Sequence, residues 1–214
     1  MSAAPRLRLA VLISGQGSNM VAIARACASG QIPAEIRIVI SDQPAAPGLD
    51  RARELGLATQ VIPARDRATF EAALADAIEL NQVQVIVLAG LMRVLSAGFV
   101  ARYAGRLLNI HPSLLPRYKG LATHARALAA GDPEHGASVH FVTADLDGGP
   151  VVLQGRVPVQ PGDDVTTLSA RVHAIEHIIY PQVISWLAGG RLIWNDGAPM
   201  LDGAPLDPPF QQQN

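Results

Sequence analysis

The feature that most constrains this chain is a repeated alternation between short apolar runs and segments of helical period. Runs rich in Val, Ile and Leu cover Leu7–Ile13, Glu35–Ile40, Thr59–Ile62, Gln84–Ala89 and Arg106–Ile110. Between them, helical patterns occupy Ser18–Ala28, Leu49–Leu55, Arg67–Leu80 and Ser96–Tyr103. Strands that are apolar throughout, rather than at every second residue, are buried on both faces, as in a parallel sheet covered by helices. The alternation therefore predicts an α/β fold, a doubly wound, mostly parallel sheet with right-handed crossovers.

Beyond Asn109 the pattern changes. His135–Thr143 and Pro150–Pro158 read as longer strands joined by a turn at 145–149, which predicts an antiparallel addition to the sheet in the C-terminal half. Asp164–Leu187 reads as a long helix that Pro181 should kink or divide near Tyr180. The segment 189–214, rich in Gly, Pro and Gln, reads as only partly ordered. The chain has 214 residues, 49% of them hydrophobic and 16% charged, and no linker interrupts it. One domain over 1–214 is expected, with 1–7 and about 203–214 as flexible tails.

A net charge of −1 offers no general attraction to nucleic acid or to an anionic membrane. The apolar run after Arg6 and Arg8 stops at Ser14, too short for a signal sequence, and no run approaches the ~18 residues of a membrane span. A cytoplasmic protein acting on small molecules is expected. Cys27 is the only cysteine, so neither a disulfide framework nor a thiolate metal cluster can form, and it reads as a small buried residue.

Chemistry concentrates in a few places. Asn109 and His111 lie two apart at the end of an apolar run, so in extended backbone their side chains point the same way. An amide donor beside a chargeable imidazole suits an oxygen that becomes negative during reaction. A carboxylate near that imidazole would favour its cation. Asp147, in an Asp-Gly-Gly turn, is a candidate that spacing alone does not pair with His111.

The first strand runs into Ser14-Gly15-Gln16-Gly17-Ser18-Asn19 and then a helix, an arrangement that offers backbone N–H groups and a helix N-terminus to an anion. Ser18 and Asn19 suit an N-cap. Met20 stands where a dinucleotide fingerprint needs its third glycine, so a single phosphate fits better, although Asp42 partly meets the ribose-acid criterion. Arg93, in an apolar crossover after a strand, reads either as a contact to a planar or anionic ligand or as an ion pair.

His173-Ala174-Ile175-Glu176-His177 matches one zinc-protease pattern, but no third ligand is nominated and zinc is not favoured. Glu176 could instead reach a substrate or form a surface ion pair. His124 reads as lying in the first turn of a helix, and His135 and His140 as structural or exposed.

With those residues in place, the chain resembles the folate-dependent phosphoribosylglycinamide formyltransferase family from about Leu9 to Leu201. The motifs that carry it are Val11 to Asn19, Val87 to Arg93, Leu108 to Pro116, and Ser138 to Thr143 with Asp147-Gly148-Gly149-Pro150. The resemblance implies formyl transfer from 10-formyltetrahydrofolate to glycinamide ribonucleotide, with folate as co-substrate and no tightly bound cofactor or metal. It implies a catalytic trio of Asn109, His111 and Asp147, and a phosphate held at Gly17, Ser18 and Asn19. It also implies a ribose contact from Glu176 and folate contacts from Arg67, Met92, Arg93, Val94, Leu95 and Asn109.

Ala122 and His173 depart from the polar residues that relatives usually carry there, which touches substrate contacts rather than chemistry. Formyltetrahydrofolate deformylase and methionyl-tRNA formyltransferase are the nearest alternatives. The first usually adds an N-terminal regulatory domain and the second a basic C-terminal domain, and neither is expected in this sequence. A non-catalytic nucleotide-binding protein of the same fold is opposed by the Asn-His-Asp set. The expected assembly is a monomer or homodimer.

Overall fold

The buried centre of the fold is a strand apolar on both faces. In a computed structural model that describes residues 6–63, 66–207 and 209–213, β1 (Leu7–Ile13) has Leu9, Ala10, Val11, Leu12 and Ile13 all at 0% exposure. Leu9, Val11 and Ile13 point into one apolar cluster and Ala10 and Leu12 into another on the opposite face. Truncating Leu12 to Ala would cost about 2–5 kcal/mol, the usual range for a core site that cannot collapse.

The chain continues through α1 (Ser18–Ala28), β2 (Ala34–Ser41), α2 (Pro47–Glu54), β3 (Thr59–Val61), α3 (Arg67–Leu80), β4 (Val85–Leu88), α4 (Ala97–Arg102) and β5 (Leu107–His111). These five strands are parallel and ordered β5-β4-β1-β2-β3. Strand order reverses between β1 and β4, and at such a switch point the crevice beyond the carboxyl ends of the strands is where open α/β sheets bind ligands.

After α5 (Thr123–Ala129) come β6 (Glu134–Phe141) and β7 (Val151–Pro158). Strand β6 is antiparallel to β5, and β7 is antiparallel to β6. The long α6 (Val165–Ala188) follows. Helices α1 and α6 cover one face of the sheet and α3 and α4 the other.

Three expectations are corrected. Helix α6 runs through Pro181 as one helix. Pro181 and its neighbours Ile179, Tyr180, Val183 and Ile184 are buried, and the Tyr180 hydroxyl lies 3.0 Å from the Leu88 carbonyl and 3.1 Å from that of Leu108. This packing offsets the one backbone hydrogen bond proline removes.

The C-terminal segment is regular rather than partly ordered. β8 (Leu192–Asn195), β9 (Ala198–Leu201) and β10 (Ala204–Pro205) form a small antiparallel sheet, and β11 (Phe210–Gln213) pairs in parallel with β7 at the edge of the large sheet. Of the expected tails, residues 1–5, 208 and 214 lie outside the described residues, Leu7 already belongs to β1, and most of 203–213 is strand. Finally, the cap of α1 is Gly17, not Ser18 or Asn19.

Candidate active site

Two strands and one loop build the centre of the site. Asn109 and His111 lie on β5, whose antiparallel register with β6 places His140 directly opposite Asn109. The loop between β6 and β7 returns Asp147 over the same end of the sheet, with its backbone in the left-handed region at φ 46°. Asp147 Oδ2 is 3.4 Å from His111 Nδ1. That is the pairing the spacing left open.

Each imidazole nitrogen has a defined task. His111 Nε2 lies 2.9 Å from the Tyr118 carbonyl, which can only accept, so Nε2 carries a hydrogen. Nδ1 is then the nitrogen available to Asp147 and to a substrate, and a 3.4 Å separation leaves room for a substrate oxygen to compete for its proton. Asp147 Oδ2 is fixed from the other side by the Gly120 N–H at 2.9 Å. The His111 and Asp147 side chains are 8% and 9% exposed, so water screens the interaction between them weakly.

His140, read from the sequence as structural or exposed, is buried and lines the cleft beside Asn109. Its Nδ1 donates to the Phe141 carbonyl at 3.0 Å, so Nε2 is an acceptor and takes a hydrogen from Asn109 Nδ2 at 3.1 Å. Burial pushes the His140 imidazole below its ordinary range and keeps it neutral. The Asn109 amide is thereby oriented, and its second N–H remains for a substrate oxygen. Alternation of polar residues along β6 (Ser138, His140) is the only sequence signal that hinted at an inward-facing His140.

Beside this centre a cleft opens between the end of β4, the following loop and the β6–β7 loop. Leu88, Leu91, Val94, Leu95, Val100 and Val142 supply apolar wall, and Asn109, His140 and Asp147 close one end. Its mixed apolar and polar lining suits a partly apolar small molecule with a polar group at the Asn109–Asp147 end. Arg93 lines the cleft, packed 5.3 Å from the Phe70 ring centroid and 3.9 Å from Asp42. Of its two expected roles, the ion pair is formed, with Asp42. Met92 is 72% exposed and does not line the cleft, though its backbone N–H donates to Ser14 Oγ at 2.8 Å. Arg67, exposed in the first turn of α3, does not line it either.

The glycine loop lies two strands away. Ends of parallel strands align, and two spacings of about 4.8 Å set the β1 and β5 ends about 10 Å apart. Gly17 caps α1 at φ 68°, a conformation costly for any residue with a Cβ, and as a glycine it offers the first-turn N–H groups no side-chain cap. Such groups, with the positive end of the helix, are the elements from which anion sites are built. The Gly48 N–H braces the loop by donating to the Gly15 carbonyl at 3.0 Å.

Just inside, Asn19 Nδ2 donates to Glu176 Oε2 at 2.8 Å. Glu176 is 4% exposed, so it is no surface ion pair, and burial raises its carboxyl above the ordinary range. Asn19 Oδ1 is buried without a hydrogen-bond partner. A buried orphan acceptor next to a carboxylate is matched by a ligand that brings hydroxyl donors. No three His, Cys, Asp or Glu side chains among the described residues are grouped to hold a metal.

Comparison with known proteins agrees with this geometry. The family model described as formyl transferase matches residues 7–184. The chain is 52% identical over 205 residues to phosphoribosylglycinamide formyltransferase of Escherichia coli (strain K12), covering 94% of this chain and 97% of that protein. It is 46% identical to the enzyme of the same name from Haemophilus influenzae, covering 93% and 95%. Among solved structures, the phosphoribosylglycinamide formyltransferase of Coxiella burnetii superposes with a TM-score of 0.91 at 50% identity, over 96% of this chain and 99% of that one.

Proposed function

The chain belongs to the formyl transferase family, and we propose that within it the chain carries the formyl group of 10-formyltetrahydrofolate to the amine of 5'-phosphoribosylglycinamide. The products are formylglycinamide ribonucleotide and tetrahydrofolate, in purine biosynthesis. The observation that carries this reading is the pairing of His111 with Asp147 at 3.4 Å, where Asp147 and Asn109 themselves line the cleft and His111 stands just behind them.

The glycine loop (Gly17, Ser18, Asn19) takes the phosphate. The Asn19–Glu176 pair receives the ribose hydroxyls, which supply the donors that Asn19 Oδ1 lacks. About 10 Å further along the sheet edge the glycinamide amine reaches the formyl carbon of the folate bound in the cleft. Arg93, Val94 and Leu95 line the folate side; Met92 and Arg67, which are exposed and do not line the cleft, enter as folate contacts through the sequence resemblance alone.

The amine nitrogen attacks the formyl carbon and the carbonyl becomes an alkoxide. The free N–H of Asn109 and the Nδ1 proton of cationic His111 stabilise that oxygen, while Asp147 balances the imidazolium and orients it. The amine proton passes to N10 of the folate, through His111 or a water at Asp147, and the C–N10 bond breaks. Holding both substrates on one sheet edge removes much of the entropic cost of a two-substrate step. Residues 1–214 work as one formyltransferase domain in the cytoplasm, as a monomer or homodimer acting on small molecules. Among the described residues no helix is long and apolar enough to cross a membrane.

The test is consumption of 10-formyltetrahydrofolate with and without glycinamide ribonucleotide. Turnover is expected only with the amine present; equal loss in its absence would mark a hydrolase and overturn the reading.

A further inference from the structure

The two catalytic side chains are held by backbone groups of a single short stretch. The Tyr118 carbonyl receives the His111 Nε2 hydrogen at 2.9 Å, and the Gly120 N–H reaches Asp147 Oδ2 at 2.9 Å. This stretch is a loop with two residues, Tyr118 and Gly120, in the left-handed region, so its shape is not maintained by any helix or strand. Something else has to fix it.

Arg126 of α5 holds the middle of the stretch by donating to the Lys119 carbonyl at 2.7 Å, and its start is fixed by Asp132, a buried carboxylate outside the cleft, in the turn that leads into β6. The Tyr118 hydroxyl donates to Asp132 Oδ2 at 2.6 Å, and Arg117 Nη2 donates to Asp132 Oδ1 at 2.7 Å. Arg117 also lies 5.1 Å and Arg126 5.2 Å from the Tyr118 ring centroid, so the ring is held on both its edge and its face. Ser113 Oγ donates to the Arg117 carbonyl at 2.6 Å, closing the start of the loop onto the strand end that carries His111. Nothing in formyl transfer itself calls for a carboxylate at this place. Its contacts all point to the loop.

We propose that Asp132 and the Tyr118 hydroxyl are positioning residues for formyl transfer, clamping residues 117–120 so that one carbonyl and one N–H hold His111 and Asp147 at their working separation. The inference rests on the catalytic roles given above for His111 and Asp147. Release of the clamp displaces both members together, because one stretch of backbone serves both. A displacement of about 1 Å is enough to cost on the order of 10²-fold in rate. Phosphate and ribose contacts, carried by α1 and α6, are untouched.

Tyr118→Phe removes the hydroxyl and keeps the ring between the arginines; Asp132→Asn keeps an acceptor for that hydroxyl and removes the charge that Arg117 pairs with. Each is assayed for kcat, for KM of the ribonucleotide, and for the His111 titration followed by NMR of ring-labelled histidine. For Tyr118→Phe, kcat is expected to fall about ten- to a hundred-fold with the ribonucleotide KM within about twofold. The His111 titration should move by at least about half a pH unit as its distance to Asp147 changes. Asp132→Asn is expected to lie between wild type and Tyr118→Phe.

Unchanged kcat in both variants overturns the proposal. So does a fall in kcat with the His111 titration unmoved, which would mark a purely structural contact. Wild-type protein without amine-dependent turnover would instead overturn the functional reading, and that outcome is seen before any variant is made.

Discussion

At the residue scale, the Asn109 amide divides its two N–H groups between His140 and the cleft. Only the second is available to the reacting oxygen. Asn109→Ala should lower kcat by about 10²–10³, the usual cost of one oxyanion donor, with little change in the ribonucleotide KM; steady-state kinetics on both substrates checks this. Asn19→Ala belongs to the other subsite and should raise the ribonucleotide KM while kcat holds near wild type. Weaker folate binding with that KM unmoved would reverse the two assignments.

Asn109 and His111 were legible because an i, i+2 relation in a strand is local geometry. The partnership of Asp147 with His111, and of His140 with Asn109, depends on antiparallel register and loop return across more than thirty residues, which composition does not encode. The resemblance supplied the first and passed over the second. For Glu176 the residues left open a substrate contact or a surface ion pair, and only the resemblance implied a ribose contact, since its burial is decided by α1 packing against α6.

At the element scale, α6 is tied to the sheet at a point directly beneath the site. The Tyr180 hydroxyl bonds the carbonyls of Leu88 and Leu108, the residues that precede the cleft wall and Asn109. Tyr180→Phe should cost about 1 kcal/mol, read as a lowered urea midpoint. Further along the same contact, Gly155 on β7 leaves no room for a side chain: a Cβ there would stand 2.3 Å from Ile175 Cγ1. Gly155→Ala should therefore destabilise by about 1–3 kcal/mol through overpacking, measured the same way.

The strands of the parallel half were legible from their unbroken apolar runs, and their ends moved by only a residue or two. The C-terminal strands were missed although a signal was present. Asp196-Gly197 and Asp202-Gly203 each form a two-residue connection with both residues at positive φ, the type I′ hairpin signature. The overall richness of that segment in Gly, Pro and Gln hid it.

At the scale of the whole molecule, pH sets a limit on stability through the buried histidines. Burial, reinforced by the neighbouring His124, pushes His135 from its ordinary 6.5 down to about 4. The unfolded chain takes up a proton at that position below pH 6.5, and the folded protein does not until about pH 4. Folding stability should thus be intact above pH 6.5 and decline as pH falls through this window, by up to about 1.4 kcal/mol per pH unit for one proton. Urea titrations at pH 7.5, 5.5 and 4.5 check the sign. Stability that rose on acidification would contradict it.

Strand order has a practical consequence for redesign. On the proposed reading, the nucleotide falls to the turn after β1 and the folate to the loops after β4 and β6, while Asn109, His111 and His140 stand on the paired strands β5 and β6 and Asp147 in the β6–β7 loop. Acceptor choice and donor choice are therefore written on separate stretches of chain. A library varied at 15–19 could be searched for new amines, and another at 91–95 for new one-carbon carriers, with 109, 111, 140 and 147 left untouched in both.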